Sequence, residues 1–101
     1  MKGTLEGCIL QILSETVTYG YEIVTTLTEF GFEDVKEGSI YPLLVRLEKK
    51  GMISSELRPS PFGPKRKYYS LTAEGEAYLQ EFIKCWTEVQ LSVNRILKKE
   101  G

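Results

Sequence analysis

This chain of 101 residues has the length of one domain, and its 42% hydrophobic and 27% charged content excludes a disordered tail, a collagen-like repeat and a disulfide scaffold. It has no histidine, no glycine-rich phosphate loop and no apolar run near the ~20 residues of a membrane span, so histidine-dependent nucleophiles and metal sites and a membrane partner are excluded, and neither an enzyme nor a cofactor is expected. The net charge of −1 is neutral only in sum: residues 1–35 hold one base against six acids, residues 36–67 eight against three, and residues 68–101 four against five.

The first segment carries Leu5, Cys8, Ile9, Ile12 and Leu13 at helical spacing, with Thr4 as its N-cap. That periodicity marks a helix rather than a secretion signal, so Cys8 and Cys85 are expected as reduced, buried thiols of a cytoplasmic protein. Thr18, Tyr19 and Gly20 then break the helix. A second runs from Gly20 to about Phe30, with Ile23, Val24 and Leu27 on one face, and Gly31 stops it.

In the third segment Ile40, Leu43, Leu44 and Leu47 form an apolar stripe, and Gly51 after Lys49 and Lys50 marks the exit. Ser39 as N-cap puts Pro42 at the third helical position, where its missing N–H removes no helical bond. At about 100° per residue, the face opposite the leucines is Pro42, Val45, Arg46 and Lys49, flanked by Ser39 and Tyr41.

Residues 53–58 and 65–71 read as two strands, with Ile53, Ser55 and Leu57 sharing one face and Lys67, Tyr69 and Leu71 another. At least one of Tyr68 and Tyr69 belongs to the core. The intervening PSPFGP holds three of the four prolines and is expected as a stiff hairpin tip that cannot continue the ladder. No acid occurs from Leu57 to Ala73, while Arg58, Lys65, Arg66 and Lys67 cluster there. Such a local basic field suits a phosphate backbone whatever the total charge.

The last segment starts at Thr72, a good N-cap, with Glu74 in the first turn where the helix dipole favours it. Leu79, Phe82, Trp86, Val89, Val93 and Ile96 then follow at alternating steps of three and four, an unbroken seam of coiled-coil type. A helix over 73–99 is ~40 Å long, whereas a domain of about 100 residues has a radius of gyration of ~13 Å. The helix outruns its domain, and its seam calls for a second copy of the chain.

Three helices, a basic hairpin and a long helix make an α+β fold, mainly α with a small β-hairpin: a winged helix-turn-helix over 1–72 and a C-terminal dimerisation helix over 73–101. The third helix then offers its outer face to a major groove while the hairpin follows the neighbouring backbone. KGTLEGCILQILSE, YGYEI, GSIYPLLVRLEKKGMI and KRKYYSLTAEG, in this order and spacing, resemble the PadR family of bacterial transcriptional repressors from Lys2 to about Trp86. The single helix after the wing resembles the family's small subgroup.

The resemblance implies that Ser39, Tyr41 and Pro42 enter or flank the groove, that Arg66 and Lys67 are wing contacts, and that Tyr19 touches the backbone. It also implies that the last helix makes the dimer together with the first, and that its tryptophan, here Trp86, lines a cavity for flat hydrophobic ligands. Position 45, often polar or basic in such proteins, is Val45, which can meet a thymine methyl but cannot form a bidentate base contact. Tyr41 either meets phosphate or packs on the wing, and Trp86 either fills the interface or stacks on a ligand. The expected function is a homodimeric repressor on a pseudo-palindromic operator, with double-stranded DNA as partner and a planar hydrophobic effector. The alternative is a winged-helix module that binds protein, which has no reason to keep four wing bases without an acid.

Overall fold

The computed structural model describes residues 3–61 and 63–98; Met1, Lys2, Phe62 in PSPFGP and the last three residues lie outside them. In chain order the elements are α1 (Thr4–Glu15), β1 (Thr18–Tyr19), α2 (Gly20–Glu29), α3 (Glu37–Lys49), β2 (Ile53–Ser60), β3 (Gly63–Leu71) and α4 (Ala73–Lys98). The strands form one antiparallel sheet in the order β1-β3-β2. Ile9, Leu10 and Leu13 of α1, Ile23 and Leu27 of α2, and Ile40, Leu44 and Leu47 of α3 meet in one core, closed by Ile53, Tyr69 and Leu79. This is the expected winged helix-turn-helix with a long C-terminal helix. Among the described residues no helix is long and apolar enough to cross a membrane.

Two glycines end two helices in the same way. Gly31 and Gly51 have φ of 112° and 77°, in the left-handed region that costs a glycine little. After α3, Gly51 N–H donates to the Glu48 carbonyl and Met52 N–H to that of Leu47, each at 3.0 Å. After α2, Gly31 and Phe32 donate to Thr28 and Leu27, so both exits are Schellman motifs. Thr72 caps α4 as expected: its Oγ1 accepts from Gly75 N–H at 3.0 Å and donates to the Gly51 carbonyl at 2.6 Å.

Several expectations are corrected. The N-cap of α1 is Gly3, with Thr4 the first helical residue. The N-cap of α3 is Lys36, three residues before Ser39, because the Ser39 hydroxyl reaches back instead of forward: it donates to the Lys36 carbonyl at 2.8 Å and accepts from Lys36 N–H at 3.2 Å. Pro42 is therefore the sixth residue of the helix, and the Gly38 carbonyl loses its helical donor on the solvent side. The break at Thr18 and Tyr19 is a short strand paired with Tyr69 and Tyr68.

The hairpin ladder also runs further than expected, to Ser60 opposite Gly63, across an irregularity between Arg58 and Ser60. Pro59 and Pro64 are tolerated because β2 is an edge strand and β1 reaches β3 only at Tyr68 and Tyr69. Register pairs Ile53 with Leu71, Ser55 with Tyr69 and Leu57 with Lys67, so the two sets given separate faces share one.

The α4 stripe is divided. Leu79 is buried in the chain's own core. Phe82 is half-buried, its ring lying where a Cβ on Gly7 of α1 would stand. Both were expected in the dimer seam; this chain itself covers the first and partly covers the second. Cys8 is half-buried but Cys85 is exposed on α4, against the expectation of two buried thiols, and both are free. The projecting helix stretches the molecule to 59 × 28 × 21 Å, with a radius of gyration of 15.7 Å against the ~13 Å of a round domain this size.

Candidate nucleic-acid interface

The outward face of α3 follows from its period. Burial of Ile40, Leu44 and Leu47 turns Pro42, Val45 and Lys49 outward, and all three are exposed, as are Ser39, Tyr41 and Arg46 on the flanks. Arg46 leans to one side, its Nη1 standing 3.6 Å from Glu6 Oε1 of α1. Tyr41 leans to the other. Its hydroxyl would stand 2.8 Å from a Cβ on Gly20, so the ring covers the first residue of α2.

On the wing, Arg58 and Arg66 are cross-strand partners, and Glu56 faces Tyr68 on the same side of the sheet. The Arg66 guanidinium lies 4.6 Å from the Tyr19 ring centre, Tyr19 meets Tyr68 edge-on at 5.3 Å, and the Arg58 guanidinium lies 5.2 Å from the Tyr68 ring. Two guanidiniums thus bracket two tyrosines across all three strands, held by cation–π and edge-to-face contacts. Arg58 is also bonded to Glu56 at 2.9 Å.

Lys67 belongs to the opposite, inward side of the sheet. Its Nζ is 3.3 Å from Glu48 Oε1, while Glu48 Oε2 accepts the Ser55 hydroxyl at 2.6 Å. The Ser55 bond first, and Lys67 second, hold the Glu48 carboxyl below its usual range against a partial burial that opposes them. Burial, with Glu48 and Tyr41 nearby, pushes the Tyr69 phenol up. Among the described residues, Lys49, Lys65 and Arg66 form no ion pair. A cleft of about 380 Å³ between wing and helices is lined by Tyr19, Tyr21, Glu37, Tyr41, Lys65, Arg66 and Lys67.

The structure thus brings Tyr19, Tyr41, Lys65, Arg66 and Lys67 around one cleft beside the outward face of α3, with Arg58 behind Tyr68. Sequence reasoning missed Tyr68 as a member of this group, Tyr21 and Glu37 in the cleft, and the acids Glu6, Glu48 and Glu56 that engage three of the bases. Tyr68 left a usable signal, since it is adjacent to Tyr69 and alternation sends one of two neighbours outward, and so did Glu56, which stands two residues before Arg58 and shares its face of β2. The pairs Glu6–Arg46 and Glu48–Lys67 join residues distant in sequence and left none.

Trp86, Val89, Val93 and Ile96 are exposed by 40, 41, 45 and 69% along α4. An apolar groove of about 390 Å³ opens between α1 and the end of α2, lined by Cys8, Gln11, Ile12, Glu15, Thr26, Leu27, Phe30 and Phe32. Burial in its wall pushes the Cys8 thiol up, which makes it a poor nucleophile.

Known proteins match this arrangement over nearly the whole chain. The model of the transcriptional regulator PadR-like family matches residues 9–81. A PadR-like transcriptional regulator from Bacillus cereus is 50% identical, with a TM-score of 0.89 and coverage of 98% of this chain and 96% of that one. A PadR family transcription regulator from Clostridium difficile is 35% identical, with a TM-score of 0.84 and coverage of 94% and 99%. An uncharacterised protein of Lysinibacillus sphaericus is 40% identical over 93 residues, which is 89% of this chain and 84% of that protein.

Proposed function

The chain belongs to the PadR-like family of transcriptional regulators, and from that premise we propose that it is a homodimeric repressor on a pseudo-palindromic operator. It is a DNA-binding regulator and not an enzyme. The observation that carries the reading is the continuity of the exposed α3 face with a wing whose Arg66 and Lys65 have no acidic partner among the described residues. Pro42 and Val45 enter the major groove, Ser39 and Arg46 border it, and Tyr19, Tyr41, Lys49, Arg58, Lys65, Arg66 and Lys67 follow the phosphates.

Dimerisation rests on α4. At 1.5 Å per residue its 26 residues span ~39 Å, and Trp86, Val89, Val93 and Ile96 leave an apolar stripe without a cover in the single chain. A two-fold pairing of these stripes buries them and sets two α3 helices on one side of a duplex, with half-sites ~10 bp apart or a multiple of that. Residues 1–72 serve as the reading unit and 73–101 as the pairing unit. A planar hydrophobic effector stacked on Trp86 would relieve repression by favouring another spacing of the two α3 helices.

Titration of random duplex DNA at several salt concentrations tests the reading. Binding should weaken linearly on a log–log plot, with a slope of ~0.9 for each phosphate contacted. Salt-independent binding, or none, would return the wing to a protein-binding role.

A further inference from the structure

We infer that α3 reads its operator through an apolar surface, and that Val45 with Pro42 beside it selects thymine by its 5-methyl group. The inference rests on the DNA-binding reading above and adds what that surface recognises. Gly38, Pro42, Val45 and Lys49 recur at steps of four, three and four and so share one face of the helix. A Cβ on Gly38 would meet nothing within 4 Å, so the first turn offers bare backbone and lets the helix approach base edges closely.

The polar side chains that could read bases instead are engaged elsewhere. The Ser39 hydroxyl is bonded to the Lys36 backbone in both directions. The Tyr41 ring is packed over Gly20 to one side of this face, Arg46 is paired with Glu6, and Glu48 is taken by Ser55 and Lys67. Glu37 opens into the wing cleft. Lys49 stands in the last turn of α3, where its flexible ammonium suits a phosphate. What is left at the centre is Pro42 and Val45, the latter 47% exposed. In the major groove only thymine presents a methyl group, and apolar contact with it is a recognised mode of base selection.

Binding sites are to be selected from random duplex with the full chain, then resynthesised with deoxyuridine, which lacks only the methyl, in place of thymidine. The unsubstituted protein should lose about fourfold in affinity for each methyl removed under Val45. The Val45→Ala variant, which keeps an exposed helical position and improves helix propensity but withdraws two methyl groups from the contact, should lose clearly less than the unsubstituted protein for each thymine methyl removed, at an unchanged salt slope. Equal binding of both forms by the unsubstituted protein would overturn the inference while leaving the DNA-binding reading standing. A deoxyuridine loss of undiminished size in Val45→Ala would overturn it too, since the methyl would then act through DNA shape rather than through Val45. Absence of salt-dependent binding to any duplex would overturn both.

Discussion

The guanidinium of Arg66 on β3 lies 4.6 Å from the ring centre of Tyr19 on β1, and Tyr19 in turn braces Tyr68 at 5.3 Å. A flexible base is thereby held by a ring that stands at the entry to α2, which ties the wing to the helical part of the fold. An arginine preorganised in this way loses less freedom on meeting a phosphate than one waving in solvent.

Arg66→Ala is expected to shallow the log K against log salt slope on random duplex by ~0.9 for each copy, about two in a dimer. Tyr19→Phe keeps the ring and should cost no more than one neutral hydrogen bond to a phosphate, whereas Tyr19→Leu, which also removes the support under Arg66, should weaken binding further, both without changing the slope. Fluorescence anisotropy across salt concentrations measures all three. An unchanged slope for Arg66→Ala would take the wing off the DNA.

Glu48 gives a pH dependence whose sign follows from its environment. Its carboxyl is held below the ordinary 4.5 by the Ser55 hydroxyl and Lys67. The resulting stability is complete above the unfolded-state value and is lost as pH falls through the folded one. Glu48→Gln should cost about 1 kcal/mol at pH 7, reduced by solvent access to the side chain. The gap between variant and parent should narrow below about pH 4.5. Urea denaturation at pH 7 and pH 4 checks it; an equal gap at both would assign the effect to packing.

Much of this was legible in the sequence, and the gaps have physical causes. Gly31 and Gly51 announced their helix exits because a left-handed residue is a local demand that glycine meets at least cost. Ser39 misled because a serine hydroxyl serves equally at the cap, reaching forward, and at the third helical position, reaching back; only the backbone decides. The two-residue β1 carries too little periodicity to register, yet it brings Tyr19 against the wing. Leu79 and Val93 look alike on a helical wheel. What separates them is where α1 ends its contact with α4, a tertiary fact.

That division of α4 predicts two phenotypes along one stripe. Leu79→Ala should destabilise the fold by about 2–5 kcal/mol, since the side chain is buried in its own chain. Val89→Glu with Val93→Glu should leave the domain folded and halve the mass measured by light scattering, because both residues are exposed in the single chain. An unchanged mass would remove the seam from the dimer interface.

Trp86 is the only tryptophan in the chain, so its emission reports a single environment. It is 40% exposed, at the domain end of the exposed stripe, and the proposed two-fold pairing would bring its copy close by. Two indoles near a symmetry axis form either a dry packed contact or a slot for a flat aromatic molecule. A molecule in that slot affects operator binding only by its unequal affinity for two spacings of the α3 helices. Planar dyes and phenolic acids are therefore expected to quench the emission and, at the same concentrations, to release duplex DNA. Trp86→Leu should abolish the release while keeping the dimer and its DNA affinity. If no compound in the panel changes the emission of an intact dimer, Trp86 is interface filling alone and regulation by a flat ligand fails.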